Sequence, residues 1–588
     1  MTRNEFQLLY SIYKHGVQSY RSMKDTANVS IGFITKTMRL FSEKGYIEDD
    51  HITSCGLDAL EPYKVQNAII MAAGMGTHFV PFTLEKPKGL LMVKNEVLIE
   101  RQIEQLQEAG IENIVLVLGY MKEAFFYLEQ RYHGIKIIIN PAYNTKNNTY
   151  TLYLAQKEIG NSYICSADDY FVQNPFELYV YQSFYAGVPV SERTREWYMI
   201  PNSKGNLAKI RKNGSEGIIM LGHAYWDRAF SEEFLRILRE DQSVGEYDSV
   251  IWEQVLLEHV KDLPAIEVKQ YPRDMIFEFD SLEDLREFDH KYVEKTNIRI
   301  LKNISNVLGC QEQDVLHFRP IKEGMTNTSF VFEVYGQKYV YRHPGEGTEE
   351  IISRKHEKEA LELAKSIEVD PTFLHMNSEE GWKISKFVDG TRIPDYHNFE
   401  DSKRVLSVLR KLHEKKLSVS WEFLPWEEAN RLEVLIRTEK GGIYDRAFEE
   451  LKENVKKCWQ RCQGDGVEMC FCHCDTYAPN WMLTDTQTIL IDWEYAGNAD
   501  PGCDVGSYIT DSMWEIEEAK AFIQEYFCGT ASNEMLFHYL AYTAVMSFYW
   551  YVWALYRESC GAVMGESLYN WRVMAKRYSD YLVENFDL

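Results

Sequence analysis

The first 62 residues show hydrophobic positions three and four residues apart, which is the period of a helix with one buried face. This periodicity predicts helices near Glu5–Lys14, Tyr20–Ala27 and Ile31–Glu43. Gly45 follows the third segment and is a helix stop signal. Tyr46–Thr53 then predicts a short hairpin. These residues are therefore expected to form a small helical module.

From Val65 onward the pattern changes to short runs of apolar residues, which are typical of buried strands. Several runs lead directly into glycine, aspartate or asparagine, so polar side chains are expected at the strand ends. The family resemblances given below imply a multidomain α/β and α+β chain. The predicted strands used below are Gln66–Met71, Ser162–Asp169, Phe277–Asp280, Phe330–Val334, Lys338–Arg342 and Ile489–Ile491.

With 588 residues, the chain is long enough for about three to five domains. Hydrophobic residues make up 45% and charged residues 26%, which is ordinary for globular proteins and excludes a disordered or fibrous chain. The formal net charge is −25. A protein coated by nucleic acid over its whole surface needs the opposite sign, so any polyanion site is expected to be local.

The cysteines and one long apolar segment bear on the compartment. There are 11 cysteines, and the first residues lack the apolar segment of a secretory signal, so we expect free thiols in a reducing cytoplasm.

The segment Leu536–Tyr556 contains no Lys, Arg, Asp or Glu, but its Tyr and Trp residues run through the middle. Membrane spans keep these residues at their ends. The segment is therefore predicted to be a buried helix, without membrane insertion.

The order helix, helix, helix, hairpin in residues 1–62 resembles a winged helix-turn-helix domain. In such a domain the third helix reads the DNA groove, and here it carries Lys36 and Arg39. Residues 1–60, however, hold seven basic and seven acidic residues, and the hairpin carries three of the acidic ones at 48–50. A DNA-binding surface is normally basic. DNA binding and a packing or regulatory role both remain open for this module.

A glycine-bearing turn follows the predicted strand Gln66–Met71. The sequence Ala72-Ala-Gly-Met-Gly-Thr-His78 runs on through a Pro- and Thr-containing segment to Pro87 and Lys88. Glycines after a strand let backbone N–H groups approach phosphates closely, because no Cβ is in the way. The run lacks the third glycine of the dinucleotide-binding fingerprint. It therefore indicates a different site for nucleotide phosphates.

This run resembles the signature of nucleotidyltransferases, which join a nucleoside monophosphate to a phosphorylated small molecule. The resemblance implies a Rossmann-like domain whose glycine loop wraps the NTP, with Lys88 as the catalytic residue at the reacting phosphates. The sequence departs from the family at His78, where the family has Arg. The nucleotide-binding residues that the resemblance implies are Ala73, Gly74, Gly76, Thr77 and Asn148.

The same resemblance implies two magnesium ligands at strand ends. Asp168 lies at the end of the predicted strand that begins at Ser162, and Asp280 follows another predicted strand. Mg²⁺ prefers hard oxygen ligands and keeps several waters, so two carboxylates and the phosphates suffice. Asp169 and Glu278 are weaker candidates for the same role.

An asparagine-rich segment and several aromatic residues bear on the acceptor substrate. Residues 140–152 resemble the corresponding loop of bacterial phosphocholine cytidylyltransferases. A quaternary ammonium donates no hydrogen bonds, so proteins hold it with aromatic faces. A choline cage is expected beside Asp248, while core packing of the same rings remains the alternative. The rings proposed for this cage are Trp197, Tyr225, Trp226 and Tyr247.

A second motif, His473-x-Asp475-x₄-Asn480, precedes the predicted strand Ile489–Ile491, which leads into Asp492. A kinase needs a carboxylate to accept the hydroxyl proton, and an Asn and an Asp to hold magnesium on ATP. The pattern resembles the choline kinase and aminoglycoside phosphotransferase family, which implies a bilobal protein-kinase-like domain. Asp475 is then the catalytic base, and Asn480 and Asp492 are metal ligands.

The segments around this motif agree with the same family. The loop before strand Phe330–Val334 is expected to cover ATP, and Arg342 on the next strand is expected to bind its phosphates with Glu357 as partner. A choline site is expected near Asp492 and on one face of the long apolar helix, with core packing again the alternative for its rings. The remaining residues expected at these sites are Thr326 and Asn327 for ATP, and Glu494, Trp550 and Trp553 for choline.

We therefore expect a winged-helix-like module in residues 1–62, a nucleotidyltransferase domain in 63–295 and a phosphotransferase domain in 296–588. The expected function is CDP-choline synthesis. ATP phosphorylates choline, and CTP then transfers CMP to phosphocholine with release of pyrophosphate, with Mg²⁺ at both sites. Two alternatives stay open: a sugar-1-phosphate nucleotidyltransferase fused to another small-molecule kinase, and a transcriptional regulator whose enzyme-like domains sense a ligand.

Overall fold

The computed structural model divides into two compact units, Met1–Arg319 and Pro320–Leu588. Two residues predicted from sequence, Asp280 and Thr326, lie outside the residues that the structure describes. The described residues are 1–190, 194–214, 217–241, 244–279, 281–289, 298–321, 327–345, 352–439 and 441–586.

The first unit begins with the three helices and the hairpin that the sequence predicts, followed by one further short helix. Thr2, Ser19 and Ser30 each cap a helix, because their side chains accept a hydrogen bond from a backbone N–H of the first turn. The elements are α1 (Arg3–His15), α2 (Tyr20–Ala27), α3 (Ile31–Glu43), β1 (Ile47–Glu48), β2 (His51–Ile52) and α4 (Ser54–Leu60).

Helix α1 also joins this module to the rest of the first unit. Phe6 lies 5.5 Å from Tyr181 between ring centroids, and Tyr10 lies 5.7 Å from Tyr179. Arg3 forms an ion pair with Glu267 at 2.6 Å. The module is therefore packed against the domain that follows it in the sequence.

A nine-stranded sheet forms the centre of the first unit, with strand order β12-β11-β13-β8-β3-β6-β7 and with β10 joining β13 to β14. Strands β3, β6, β7 and β8 are parallel, so their carboxyl ends lie at one edge of the sheet. The strands of this unit after the first hairpin are β3 (Asn67–Ala72), β4 (Met92–Val93), β5 (Glu96–Val97), β6 (Ile114–Leu118), β7 (Ile135–Ile139), β8 (Ser162–Ser166), β9 (Asp169–Phe171), β10 (Phe184–Val190), β11 (Thr194–Pro201), β12 (Leu207–Gly214), β13 (Gly217–Trp226), β14 (Glu267–Gln270) and β15 (Ile276–Glu278).

Helices cover both faces of this sheet, as the continuous apolar strands require. Ile70 and Leu116 pack into the core on one face, and Ile69 and Val117 pack into the core on the other. The helices of this unit after α4 are α5 (Leu98–Glu108), α6 (Leu128–Arg131), α7 (Asn148–Leu154), α8 (Arg228–Asp241), α9 (Trp252–His259), α10 (Leu282–Phe288) and α11 (Arg299–Leu308).

The second unit combines a sheet with a group of helices, the two-part arrangement of a kinase-like fold. Within this unit the sheet has the order β17-β18-β20-β19, and the boundary between the two units falls near the end of β16. Two small two-stranded sheets, β21 with β24 and β22 with β23, follow later in the sequence. The strands are β16 (Val315–Pro320), β17 (Asn327–Val334), β18 (Gln337–Pro344), β19 (Phe373–Met376), β20 (Lys383–Lys386), β21 (Cys470–Cys472), β22 (Trp481–Leu483), β23 (Thr488–Leu490) and β24 (Gly497–Ala499).

The long apolar segment forms a buried helix, α18 (Asn533–Ser559), as predicted. It packs against several other helices of the second unit in one hydrophobic core. Among the described residues, no helix has both the length and the hydrophobicity needed to cross a membrane. The other helices of this unit are α12 (Arg354–Ser366), α13 (Phe399–Glu414), α14 (Pro425–Glu439), α15 (Phe448–Cys462), α16 (Gly502–Ser512), α17 (Ile516–Tyr526) and α19 (Glu566–Asn585).

Candidate active sites

A cavity of about 470 Å³ lies where β3 and β8 end. The glycine turn after β3 forms part of its wall, and the asparagine-rich segment forms another part. Thr77 begins the short helical turn after the glycines and is not among the described residues that line the cavity. The structure therefore brings together six residues predicted from sequence: Ala73, Gly74, Gly76, Lys88, Asn148 and Asp168.

The glycine turn owes its shape to Gly76. Its φ of +60° is in the left-handed region, and an added Cβ would lie only 2.9 Å from Cγ2 of Thr83. Thr83 also donates a hydrogen bond from Oγ1 to the Gly76 carbonyl, at 2.9 Å. A side chain at position 76 would therefore disturb the turn that faces the cavity.

Lys88 and Asp168 form an ion pair inside this cavity. Nζ of Lys88 lies 2.5 Å from Oδ2 of Asp168, and both side chains are largely buried. The Ser166 hydroxyl donates a second hydrogen bond to Asp168. Burial alone raises the pKa of Asp168, but the Lys88 ammonium outweighs burial and holds that pKa below its ordinary value. The carboxylate is therefore ionised and available to a cation.

Two further carboxylates lie beside Asp168. Asp169 is opposite Glu278 in the antiparallel pair of β9 and β15. One oxygen from each of Asp168, Asp169 and Glu278 lies within 4.8 Å of the others. This set of hard oxygen donors fits a magnesium ion. The structure differs from the sequence expectation in one respect, since β8 ends at Ser166 and Asp169 begins the next strand.

The structure corrects the choline cage predicted for the first unit. Tyr225 and Trp226 are neighbours on β13, so they point into the cores on opposite faces of the sheet, and both are fully buried. Trp226 packs 4.6 Å from Phe234 between ring centroids. Trp197 and Tyr247 are partly buried beside the same core, and neither belongs to the described residues that line the cavity. Core packing therefore accounts for Tyr225 and Trp226.

A second cavity, of about 490 Å³, lies in the second unit. Strands β17, β18 and β20, the motif after β21 and the helices α18 and α19 contribute to its wall. All the described residues that the sequence assigns to this site, except Glu357, line the cavity. They are Asn327, Arg342, Asp475, Asn480, Asp492, Glu494, Trp550 and Trp553.

A buried aspartate holds the loop that carries Asp475. Asp504, on α16, accepts hydrogen bonds from the backbone N–H groups of His473 and Cys474, at 3.1 and 2.6 Å. Nε2 of His473 contacts the Ile491 carbonyl at 2.9 Å, while the Asp475 N–H donates to Nδ1. His473 therefore donates from Nε2 and connects the loop of Asp475 to the segment before Asp492.

Asp475 faces the cavity beside Asn480. The Asn480 amide donates to the Asp475 carboxylate at 3.0 Å and to its backbone carbonyl at 2.8 Å. Burial, together with the negative charges of Asp492 and Glu494, raises the pKa of Asp475 well above its ordinary value. A carboxylate with a raised pKa is a better proton acceptor, which suits a general base.

A buried network of three cations and three carboxylates lies beside this cavity, and some of its members line it. Arg342 pairs with Glu357 at 2.6 Å and with Asp492 at 2.9 Å. Lys383 contacts the same two carboxylates at 3.3 and 3.0 Å. Burial alone raises the pKa of Glu357, but the two cations lower it to about 2. Arg342 and Glu357 thus form the pair that the sequence predicts.

The sequence reasoning missed two members of this network, Lys383 and Arg354. Lys383 and Ser385 both line the cavity from β20, and this alternation along a strand was the available signal. Arg354 contacts Glu357 at 2.9 Å and Glu494 at 3.2 Å. Glu494 lines the cavity with the other predicted residues, and its carboxylate is also paired with Arg354, so its contact with choline stays a prediction.

Aromatic side chains form the remaining wall. Trp550 and Trp553 of α18 have ring centroids 5.7 Å apart. Trp571 of α19 lies 5.9 Å from Trp550, and Tyr495 lies 5.2 Å from it on another side. All four rings line the cavity. Aromatic faces and nearby carboxylates together suit a cation. Trp571 and Tyr495 were not predicted, because nothing in their local sequence connects them with α18.

The two cavities, each with phosphate-binding elements and a carboxylate set, define a transferase of phosphorus-containing groups. Residues 67–183 match the family described as nucleotidyl transferase, and residues 317–540 match the phosphotransferase enzyme family. The choline-phosphate cytidylyltransferase of Streptococcus pneumoniae is 34% identical over 222 residues, which is 38% of this chain and 96% of that protein. The chain belongs to the family of these nucleotidyltransferases, and it carries a phosphotransferase-family domain as well.

Two other proteins are similar to separate parts of the chain. The 2-aminoethylphosphonate cytidylyltransferase of Lancefieldella rimae is 34% identical over 230 residues, which is 39% of this chain and 93% of that protein. The crystal structure of the choline kinase LicA from Streptococcus pneumoniae shares 25% identity, with a TM-score of 0.42, and covers 48% of this chain and 98% of that one.

Proposed function

We propose that this protein makes CDP-choline in two steps, in the cytoplasm. The second unit phosphorylates choline with ATP, and the first unit transfers CMP from CTP to phosphocholine. The observation that carries the proposal is the placement of Lys88 with Asp168 in one cavity, and of Asp475 with Asn480 and Asp492 in the other. The division into residues 1–62, 63–295 and 296–588 belongs to the same proposal.

In the phosphotransferase site, the choline hydroxyl oxygen attacks the γ-phosphorus of ATP. A bond forms between these atoms, the bond to the β-γ bridging oxygen breaks, and ADP leaves. Asp475 accepts the hydroxyl proton, and the Asn480 amide holds its carboxylate in place. Arg342 and Lys383 stabilise the phosphate charge, while Trp550 and Trp553 present their faces to the trimethylammonium group.

In the nucleotidyltransferase site, a phosphate oxygen of phosphocholine attacks the α-phosphorus of CTP, and pyrophosphate leaves. The attacking group is already an anion, so the step needs no base and no covalent intermediate. The backbone around Gly74 and Gly76 binds the triphosphate, and Lys88 neutralises charge that develops during transfer. The main contribution of the protein is therefore positioning and charge neutralisation.

Magnesium fits both donor sets. Asp168, with Asp169 and Glu278 nearby, would hold it in the first unit, and Asn480 with Asp492 would hold it in the second. The ion supplies charge neutralisation at the phosphate oxygens and aligns them for in-line transfer. Lys383 and Arg342 contact the same oxygen of Asp492, so these cations balance that carboxylate within the protein itself.

Mass spectrometry of the products tests this proposal. The purified chain is mixed with choline, ATP, CTP and Mg²⁺, and each component is left out in turn. We expect CDP-choline that disappears without ATP and returns when phosphocholine is supplied. A reaction with 2-aminoethylphosphonate in place of phosphocholine compares the two acceptors. The absence of CDP-choline from every mixture would refute the proposal.

Two matched variants test the division of labour. Asp475→Asn should abolish formation of phosphocholine but leave CMP transfer to added phosphocholine intact. Asp168→Asn should do the opposite. Both changes keep the size of the side chain, so circular dichroism should show unchanged folding. Loss of both activities in either variant would contradict the assignment of one reaction to each unit.

A further inference from the structure

A buried histidine of the second unit has a carboxylate at each of its two ring nitrogens. Nδ1 of His538 lies 2.9 Å from Oδ2 of Asp465, and Nε2 lies 2.9 Å from Oδ2 of Asp500. Burial lowers the pKa of His538, but the two carboxylates outweigh burial and raise that pKa above its ordinary value. Both ring nitrogens therefore carry a proton in this structure, and the ring is an imidazolium.

A thiol lies beside the same histidine. Cys462 is the last residue of α15, and its Sγ donates to the His538 carbonyl at 3.9 Å. The chain turns directly after this helix, because the Asp465 N–H donates to the Cys462 carbonyl at 3.1 Å. Sγ of Cys462, a carboxylate oxygen of Asp465 and a ring nitrogen of His538 all lie within 4.8 Å of one another. We call these three residues the thiol-imidazole cluster.

Sulfur, nitrogen and oxygen donors at this separation suit a zinc ion. Zn²⁺ binds Cys at about 2.3 Å and His or Asp at about 2.0–2.2 Å, usually with four ligands in a tetrahedron, so that the ligand atoms are about 3.3–3.8 Å apart. Mg²⁺ prefers oxygen ligands alone, so the cluster differs in kind from the carboxylate sets of the two cavities. The Asp465 side chain is 17% exposed, and a water can therefore reach the fourth position.

The groups around the cluster fit the same ion. A histidine that binds a metal usually donates its other N–H to a carboxylate, which fixes the ring. Asp500 accepts this bond from Nε2 of His538, and its other oxygen accepts from the Gly502 N–H at 2.8 Å. Oδ1 of Asp465 pairs with Arg461 at 2.7 Å, while Oδ2 faces the histidine. The ring and the carboxylate are thus both held in the orientation that a metal site needs.

We propose that the thiol-imidazole cluster is a zinc site, with Sγ of Cys462, Oδ2 of Asp465 and Nδ1 of His538 as its protein ligands. The ion takes the place of the Nδ1 proton. Burial raises the pKa of the Cys462 thiol, so the thiol keeps its proton until the metal binds. Three bonds to Zn²⁺ form, and two protons leave to solvent, one from Nδ1 and one from Sγ.

The charges of the cluster balance in both forms. Without the ion, the imidazolium and Arg461 balance Asp465 and Asp500. With the ion, Zn²⁺ and Arg461 balance the two carboxylates and the Cys462 thiolate, and the imidazole is neutral. A buried group of charges is costly when one charge has no partner. Zinc binding therefore leaves no uncompensated charge in this part of the core.

The ion has a structural role, since it fastens helices that come from distant parts of the sequence. Cys462 ends α15, His538 lies in the first part of α18, and Asp500 directly precedes α16. Helix α18 also carries Trp550 and Trp553, which line the phosphotransferase cavity. The inference does not depend on the substrate of that cavity, because the zinc ion takes no part in the reaction.

Metal analysis of the full chain tests the proposal. The protein is purified under reducing conditions, freed of metals with a chelator and titrated with Zn²⁺ in an excess of Mg²⁺, which occupies the oxygen sites of the two cavities. We expect one equivalent of zinc to stay bound through gel filtration. At a free Zn²⁺ concentration of about 100 times the Kd, the Tm of the second unit should rise by about 5 °C. Co²⁺ in place of Zn²⁺ should give a thiolate charge-transfer band in the near ultraviolet.

Three variants locate the ion. Cys462→Ser and Asp465→Ala should each weaken zinc binding about 100-fold or more, and Cys462→Ser should also remove the cobalt charge-transfer band. Cys458→Ser is the matched control, because Cys458 is a buried cysteine of the same helix whose Sγ contacts the Ser579 carbonyl at 4.0 Å. It should keep both the zinc and the band. Circular dichroism checks the folding of each variant, and Asp465→Ala decides if Cys462→Ser does not fold.

Three results overturn the inference. If zinc neither stays bound to the unaltered chain nor raises its Tm, His538 is only an ion-paired residue. If the cobalt band survives Cys462→Ser, another thiol binds the metal. If Cys472→Ser removes the band and Cys462→Ser does not, the ion lies at the second set of thiol, imidazole and carboxylate, which consists of His413, Cys472 and Asp504. Loss of zinc in Cys462→Ser and in Asp465→Ala, but not in Cys458→Ser, supports it.

Discussion

Replacement of Glu357 by glutamine should destabilise the phosphotransferase unit while keeping the shape of the side chain. Glu357 has a fully buried carboxylate, and it pairs with Arg342, Arg354 and Lys383 at 2.6, 2.9 and 3.3 Å. Glutamine removes one of the three negative charges of the network but leaves its three cations in place, so Asp492 and Glu494 alone must balance them. Cations buried without a matching charge are costly, because little water reaches them.

The magnitude follows from the loss of one charged partner. Removal of one partner from a buried ion pair typically costs about 3–5 kcal/mol. The lowered pKa of Glu357 agrees in sign, because the neighbouring cations favour the charged carboxylate in the folded protein. For a unit of this size, 1 kcal/mol shifts the Tm by about 2 °C. We therefore expect Glu357→Gln to lower the Tm of this unit by about 6–10 °C.

Scanning calorimetry measures this shift, with Glu359→Gln as the control. Glu359 lies on the same helix but is exposed, so its replacement should change the Tm by less than 1 °C. The pH dependence gives a second test. Folding lowers the pKa of Glu357. The carboxylate therefore stabilises the unit fully above about pH 4.5, and this stabilisation is lost as the pH falls towards 2. The Tm of the unaltered protein and the Tm of Glu357→Gln should therefore converge as the pH falls.

The same variant contains an internal control. CMP transfer takes place in the first unit, so its rate with added phosphocholine should stay within twofold of that of the unaltered protein. Phosphorylation of choline should fall at the same time, because Arg342 loses the carboxylate that orients it. A Tm shift below 2 °C, or a difference that grows in acid, would refute the view that this pair is buried and charged.

Three further predictions concern other residues. Burial raises the pKa of Glu253 to about 7, so the protein should lose stability as the pH rises from about 4.5 through 7; in chemical unfolding, Glu253→Gln should remove this loss of about 3 kcal/mol. Lys88→Met should reduce CMP transfer by about 100-fold or more and leave choline phosphorylation unchanged in a coupled assay; equal loss of both activities would contradict this. Trp553→Ala should raise the KM for choline about tenfold and that for ATP less than twofold; a raised KM for ATP alone would place the ring at the nucleotide.

Local patterns in the sequence were sufficient to predict several elements. The helices of the N-terminal module follow from an apolar residue on every turn and from Ser or Thr at the first position before each helix. Strand β3 and its glycine turn follow from an apolar run that ends in Gly74 and Gly76. Such signals need no information from distant residues, because a helix face, a strand or a turn depends on neighbours in the chain.

Local patterns did not predict which aromatic residues line a cavity and which pack in a core. Tyr225 and Trp226 have the composition of an ammonium cage, yet their strand has a buried face on each side, so both rings pack in cores. Trp550 and Trp553 have a similar composition and line a cavity instead. The sequence does not distinguish the two cases, because an aromatic ring in a core and one in a cavity wall are equally apolar.

The sequence by itself determined the two kinds of chemistry, since the glycine turn with Lys88 and the motif from His473 to Asn480 each combine the necessary groups within a short segment. Only the tertiary structure decided which charges meet. Lys383 reaches Asp492 across 109 positions of sequence, and Lys146 reaches Asp248 across about 100. The physical reason is that an ion pair or an aromatic wall depends on which elements are packed together, and packing is a property of the whole fold.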